Sequence, residues 1–416
     1  MPDIDDPIQR FLSVVKFYLS GWHIKPPGVK KPLNPILGET FTCYWDYPNN
    51  TRGYYISEQT SHHPPKSSYF YMAPEHNIRI DGTLKPRSKF LGNSAASMME
   101  GIAVLRFMNR GKSIGGEKYF VTQPNMYARG ILFGKMKYEL GDHSFVRCPE
   151  LGLVADVEFK TKGYFGGTYN AIGGTIKNEK SGESLYELSG MWSGEMVSKD
   201  VRTGRKEVLF NASKSTHTPP IVRPLEEQDD RESQKLWQKT VIAIKESNHT
   251  AATEEKSKIE DMQRDETARR AEQGIEWHPK LFRRVHGGPG SPEEGEEDLD
   301  WILNANIDGA TPQEKTKQIL AIAPILKGQS TSQHSAAPQL PDPLPQQPQR
   351  QQKDLIDFGQ TDSAPASAIP ERGSSLHHTS QGTGPPGLQE PLMPGAPLKR
   401  VDTATKELDE FVDAAP

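Results

Sequence analysis

A chain of 416 residues with 54 acidic and 50 basic side chains, net charge −4, lacks the basic balance of a nucleic-acid module, and no Arg/Lys stripe accompanies a matching fold signature. Its two cysteines, Cys43 and Cys148, rule out a disulfide-built framework and suit a reducing, cytosolic setting. No apolar run approaches the ~18–20 residues needed to span a bilayer. Charge and composition divide the chain. Residues 1–287 carry 41 basic and 35 acidic side chains, enough length for one large core. Residues 288–416 carry 9 basic and 19 acidic, with 17 of the 34 prolines and three of the 34 aromatics. That second part is read as a disordered, acidic Pro/Gln-rich tail bearing short linear motifs, since it has too little apolar surface to offset chain entropy.

Ile8, Phe11, Leu12, Val15, Tyr18 and Leu19 recur at helical spacing and predict an amphipathic helix over 6–20. From Glu39 to about Phe210 short β-rich segments follow one another. They run Phe41–Trp45, Gly53–Ser57, Ser68–Met72, Ile78–Leu84 and Ile102–Phe107, then Lys118–Thr122, Lys135–Leu140, Leu153–Lys160, Leu185–Ser189 and Glu207–Phe210. Turn formers separate them every 8–12 residues or so, the pattern of a meandering antiparallel sheet. At this strand count a nearly closed barrel with room for a ligand is expected. Helices are predicted over Leu225–Lys245 and Ala251–Glu272, the second stopped by Gly274, before the apolar anchors Trp277–Phe282. The class is therefore mainly β with flanking α: a large antiparallel barrel, an N-terminal helix and a C-terminal helical subdomain. In the tail, Thr311–Glu314 forms a capping box with Pro at the first helical position, opening a short helix expected to pack on the body.

Three places carry chemistry. His62 and His63 sit between a polar run and Pro64-Pro65, which fix the backbone and remove two donors. Such a pair offers several ring nitrogens to an anion, or is simply two surface histidines; a metal ranks below both, with no Cys/His/Asp cluster at ligand spacing nearby. Lys256, Glu260 and Arg264 advance by fours, drifting only ~40° per step, so they share a helix face. This is either a solvated salt-bridge stripe or two phosphate-holding cations with an orienting carboxylate. Lys31 and Asn34 lie in a Pro-braced loop where Gly38 permits a tight bend, and the preceding 24–30 stretch adds basic charge. No P-loop or zinc signature occurs, and an enzyme is not expected.

Glu58-Gln59-Thr60-Ser61-His62-His63-Pro64-Pro65 resembles the EQxSHHPP fingerprint of the oxysterol-binding-protein-related lipid-transfer proteins. Lys31–Glu39 resembles that family's second signature, and Lys256, Glu260 and Arg264 a third, so the resemblance covers roughly residues 5–285. It implies a lipid tunnel. Lys31, Asn34, His62, His63, Lys256, Glu260 and Arg264 would ring its mouth around the head group of phosphatidylinositol 4-phosphate, with no cofactor beyond the bound lipid. The second ligand is sterol in some members and phosphatidylserine in others. The stretch Gly21–Lys31 looks more like the phosphatidylserine-exchanging branch, in which Ser88 would meet a serine head group or remain a loop residue. Family domains place an apolar lid before the first helix. Here that helix begins near Asp6, so the lid is expected to be missing, from a piece of a longer chain or a lidless form.

Glu410, Phe411, Asp413 and Ala414 resemble the acidic-tract motif that docks on endoplasmic-reticulum VAP receptors, with Val412 in place of the usual second aromatic. Asp354–Phe358 is a weaker linear motif to which no partner is assigned. The resemblance implies an exchanger working at anionic membranes, cytoplasmic and peripheral at contacts between endoplasmic reticulum and plasma membrane. A sterol carrier or sensor, or a contact-site scaffold with impaired transfer, remain the competing expectations.

Overall fold

Thirteen strands, each pairing antiparallel with its neighbours, build one sheet, and the computed structural model describes residues 1–23, 33–92, 94–112, 115–130, 137–162, 166–286 and 299–329. The first five are β1 (Thr40–Tyr47), β2 (Thr51–Ser61), β3 (Lys66–Ala73), β4 (Ile78–Phe90) and β5 (Ser94–Phe107). Next come β6 (Glu117–Val121), β7 (Asn125–Arg129), β8 (Lys137–Cys148) and β9 (Leu153–Lys160). The sheet ends with β10 (Ala171–Asn178), β11 (Ser184–Met191), β12 (Glu195–Asp200) and β13 (Lys206–Asn211). Spatial order follows chain order, except that β6 and β7 lie end to end between β5 and β8.

Among the described residues the sheet does not close on itself: β1 and β13 are its two ends. The chain after β13 takes the place a closing strand would need. Tyr44 and Ile221 exchange backbone hydrogen bonds of 3.0 and 2.7 Å, and Thr40 N–H donates to the Arg231 carbonyl at 3.0 Å. The edge of β1 is thus covered without a β1–β13 ladder.

Helix α1 (Pro7–Ser20) starts at an Asp6 cap, whose carboxylate accepts from Gln9 N–H at 2.8 Å. It fills the concave side of the sheet. Phe11, Leu12, Val14, Val15 and Leu19 pack with Phe107, Tyr119, Val146, Val157, Phe159, Leu188 and Met196. The helix touches both β8 and β13, five places apart in the sheet, so the sheet curls around it. Arg10 anchors the contact through a buried two-pronged pair to Glu117, at 2.8 and 2.9 Å.

The helical region expected as one piece over 225–245 is broken into a short turn, α2 (Ser233–Leu236) and α3 (Gln238–Lys245), before α4 (His249–Gln273). The break has a physical cause. Trp237 leaves helical geometry, with φ −92° and ψ 5°, while Ser233 Oγ and Trp237 Nε1, one turn apart on one face, both donate to the Glu39 carboxylate at 2.6 and 3.1 Å and hold the junction against β1. Helix α4 ends at Gly274 in the left-handed conformation, as expected.

The boundary expected at 287 falls inside the folded body. Strands β14 (Phe282–Arg284) and β15 (Trp301–Leu303) pair with one another, and helix α5 (Pro312–Leu320) follows with its capping box formed. Leu281, Phe282, Trp301, Leu303, Ile307, Ile319 and Ile325 cover Tyr54, Ile56, Phe70 and Met72 on the convex side of β2 and β3. Asp300 joins them by reaching Lys66 at 2.7 Å and Lys85 at 3.1 Å. Composition averaged over the last third of the chain hid this apolar segment. The tail motifs at 354–358 and 410–414 lie outside the described residues.

Candidate functional site

The concave face divides into two halves. Over β5–β13 it is filled by α1. Over β1–β3, register places Phe41, Trp45, Tyr55, Tyr69 and Tyr71 on the same face, outside that cluster. Their rings touch one another, with centroids 6.0–6.4 Å apart. Glycine makes room for two of them: a Cβ at Gly82 would strike the Tyr69 ring and one at Gly53 the Tyr71 ring. Desolvation pushes the Tyr55 hydroxyl up to about 12 and those of Tyr69 and Tyr71 further still. Yet all five rings keep accessible surface. They form a half-buried aromatic surface on the concave face.

The β2–β3 turn stands at one end of this wall and carries the histidine pair, with ring centroids 4.4 Å apart. The fingerprint around it splits by task. Glu58 is buried and accepts the Lys280 and Leu281 N–H groups, each at 2.7 Å, so it fastens the C-terminal cover. Gln59 and Thr60 brace the turn, Gln59 Nε2 to the Ser61 carbonyl at 2.9 Å and Thr60 Oγ1 to Ser68 Oγ at 3.1 Å. His63, Pro64 and Pro65 are exposed, and His62 is half-buried beside them.

Helix α4 crosses the turn. Gln263, which the sequence motifs did not single out, is buried and joins three parts of the site. Its Oε1 accepts from Leu37 N–H at 2.8 Å, which fixes the amide so that its Nε2 faces His62 Nε2 at 2.7 Å. An amide nitrogen is a donor only, so His62 Nε2 accepts and the imidazole proton sits on Nδ1. That Nδ1 is buried and has no partner among the described residues. Desolvation, with the neighbouring His63 next, lowers the His62 pKa; Glu260 opposes both. His62 is thus held as a neutral ring with one unspent N–H donor. Helical periodicity was the available signal, because Gln263 lies one turn beyond Glu260.

Lys256 pairs with Glu260 at 2.5 Å, and both are half-buried. Arg264, expected beside them, points instead to Asp261 on its own helix and is exposed. The loop at 33–39 is clamped by Gly38 N–H to the Gln59 carbonyl at 3.0 Å and by Ile36 N–H to Glu39 at 3.0 Å. Gly38 has φ +76° and its missing Cβ would meet the Trp277 ring, so glycine is required twice over. Asn34 projects from this loop with an exposed side chain; Lys31 lies outside the described residues. Ser88 shares the sheet face of the aromatic wall but pairs with Ser97 on the long β4–β5 hairpin. It stands four residues past Leu84, about 13 Å from the end of the wall. The structure therefore gathers His62, His63, Lys256 and Glu260, adds Gln263, and leaves Arg264 and Ser88 on neighbouring surfaces.

The site thus combines a curled antiparallel sheet, a half-buried aromatic wall and, at its end, a buried ring donor beside Lys256 and Glu260. Residues 2–243 and 240–309 match the model described as oxysterol-binding protein, and the chain belongs to the oxysterol-binding protein family. Oxysterol-binding protein homolog 6 of Saccharomyces cerevisiae is 53% identical over 328 residues, 78% of this chain and 71% of that protein. Homolog 7 of the same yeast is 51% identical over 338 residues, covering 80% and 75%. Oxysterol-binding protein-like protein OBPalpha of Candida albicans is 50% identical over 328 residues, 78% and 75%. Among solved structures, the Osh1 ORD domain in complex with ergosterol has TM-score 0.61 at 22% identity, covering 77% of this chain and 78% of that one. The Osh3 ORD of Saccharomyces cerevisiae in complex with PI(4)P has TM-score 0.52 at 22% identity, covering 76% and 80%. Those two likenesses speak for the fold.

Proposed function

We propose that this chain is a non-enzymatic exchanger that carries phosphatidylinositol 4-phosphate in one direction and phosphatidylserine in the other between cytoplasmic membrane surfaces. The observation that carries the anion half is the unspent His62 Nδ1–H, buried beside His63 and held in place by Gln263. A phosphate oxygen satisfies that donor, and Lys256 supplies charge once its carboxylate partner shares it. Lys31, Asn34 and Arg264 join as further head-group contacts, Arg264 by turning from Asp261. Acyl chains lie along the wall of Phe41, Trp45, Tyr55, Tyr69 and Tyr71. The similarity to the Osh3 ORD, solved in complex with PI(4)P, supports this ligand.

For the second lipid, the Gly21–Lys31 resemblance favours phosphatidylserine, with Ser88 near its head. Sterol is the second reading, supported by the ergosterol named for the Osh1 ORD domain. The acidic motif around Phe411 would recruit a VAP-type receptor and place the protein at contacts between endoplasmic reticulum and plasma membrane. The test is extraction from vesicles. His62→Ala with His63→Ala is expected to abolish phosphoinositide extraction while phosphatidylserine extraction persists; undiminished phosphoinositide extraction would overturn the anion site.

A further inference from the structure

The β4–β5 hairpin runs well beyond the histidine turn. Ser67 at the start of β3 pairs with Leu84, and β4 continues to Phe90, so the tip projects ~20 Å past that level. Phe90 and Leu91 at the tip are each 46% exposed. Register extends their surface sideways. Phe90 pairs with Ala95, Ala95 with Ala128 and Ala128 with Tyr138, one row across four strands, and Tyr138 is 47% exposed. Met126, two residues along on the same face, is 40% exposed. Large apolar side chains gathered at one corner mark an interaction surface.

The same corner is basic. Arg87, Lys89, Arg129, Lys137 and Lys162 surround the row, and the carboxylates among them, Glu100 and Glu139, are paired with Arg87 at 2.5 Å and Arg129 at 3.5 Å. Lys137 and Lys162 both lie over the Tyr169 ring, at 4.4 and 4.5 Å, which holds two like charges on one exposed aromatic. Strand alternation puts Phe90 and Tyr138 on one side of the corner, while Lys89 and Lys137 fall on the other. Apolar side chains that enter the acyl boundary, flanked by cations that stay at the head groups, match an anionic lipid surface.

We infer that this corner is a membrane-docking prong: Phe90 and Leu91 insert into an anionic bilayer while Lys89, Lys137 and Lys162 meet its head groups. Its purpose rests on the lipid-exchange reading, because docking here brings the histidine turn and the aromatic wall toward the membrane. Docking itself does not depend on the head-group site, and the experiment separates them. The full 416-residue chain is sedimented with phosphatidylcholine vesicles with and without phosphatidylserine, and no phosphoinositide. Phe90→Ser with Leu91→Ser is expected to weaken binding to the phosphatidylserine vesicles about tenfold or more. Its melting temperature and its binding of a water-soluble short-chain phosphatidylinositol 4-phosphate should be unchanged. Lys89→Glu with Lys137→Glu is expected to remove the preference for phosphatidylserine vesicles. His62→Ala with His63→Ala is expected to sediment like wild type, so failure of the head-group reading leaves this result standing. Wild-type sedimentation by both prong variants would overturn the proposal. So would light scattering that shows a wild-type dimer made monomeric by Phe90→Ser with Leu91→Ser, since the occupant would then be a second copy.

Discussion

His62 accepts from Gln263 at Nε2, which sets its tautomer, while burial of the ring lowers its pKa. Replacing Gln263 by Glu puts a carboxylate where the amide donor stood, and a carboxylate oxygen favours a protonated ring. In the wild type His62 is expected to titrate below its ordinary value of 6.5; in Gln263→Glu it should titrate above it, followed by NMR of the ring protons. The sign for stability follows from linkage. A histidine whose folded pKa is lowered binds more protons when unfolded, so its contribution is present above pH 6.5 and is lost as pH falls through the lowered folded value. Urea midpoints at a series of pH values should therefore fall on acidification in the wild type, and the fall should shrink in His62→Gln. An identical slope in both would mean the ring is not held neutral.

At the scale of elements, two attachments decide whether the site exists at all. The first is α1 in the hollow of the sheet. Glu117 is buried against Arg10 and also accepts from Tyr119 at 2.5 Å; those partners, against the opposing pull of burial, hold its carboxyl below the usual range. Arg10→Ala strands the carboxylate and Glu117→Ala strands the guanidinium, so each is expected to cost about 3–5 kcal/mol in chemical denaturation, and the double replacement less than their sum. Strictly additive costs would show that packing alone seats the helix. The second is the C-terminal cover. Ile56, Phe70, Ile319 and Ile325 are fully buried at its interface, and such side chains are each worth roughly 1.5–3 kcal/mol when buried. A chain cut after 287 is expected to aggregate or melt much lower than one cut after Gln329. Matching melting curves would reduce 299–329 to an ornament.

At the scale of the whole molecule, the alternation of apolar and polar residues made most strands legible, and the 6–20 periodicity gave α1 nearly to its ends. Three strands were not legible: β7, β10 and β12. The Ala171–Asn178 strand is rich in glycine, and the pairing partners that hold it lie outside its own residues. Nor could local pattern show that the segment at 221–231 would cover the β1 edge, because sheet closure is decided by what returns to that edge. The site was half legible. The histidine turn and the Lys256–Glu260 face stood out as motifs. Gln263 reads as an ordinary helical glutamine until the Leu37 N–H and the His62 ring are brought to it from 226 and 201 residues away. Arg264 shares the helical stripe by arithmetic, yet Asp261 three residues earlier holds it first.

The claim that joins these scales is that one amphiphile sits behind the aromatic wall with its charged head on the histidine turn. Native mass spectrometry of the purified chain, with identification of the released lipid, tests it most directly. The expected result is a single lipid per chain, phosphatidylinositol 4-phosphate or phosphatidylserine, with the phosphoinositide alone missing from His62→Ala/His63→Ala. An empty wild-type chain after incubation with both lipids, or a phosphoinositide retained equally by the variant, would contradict it.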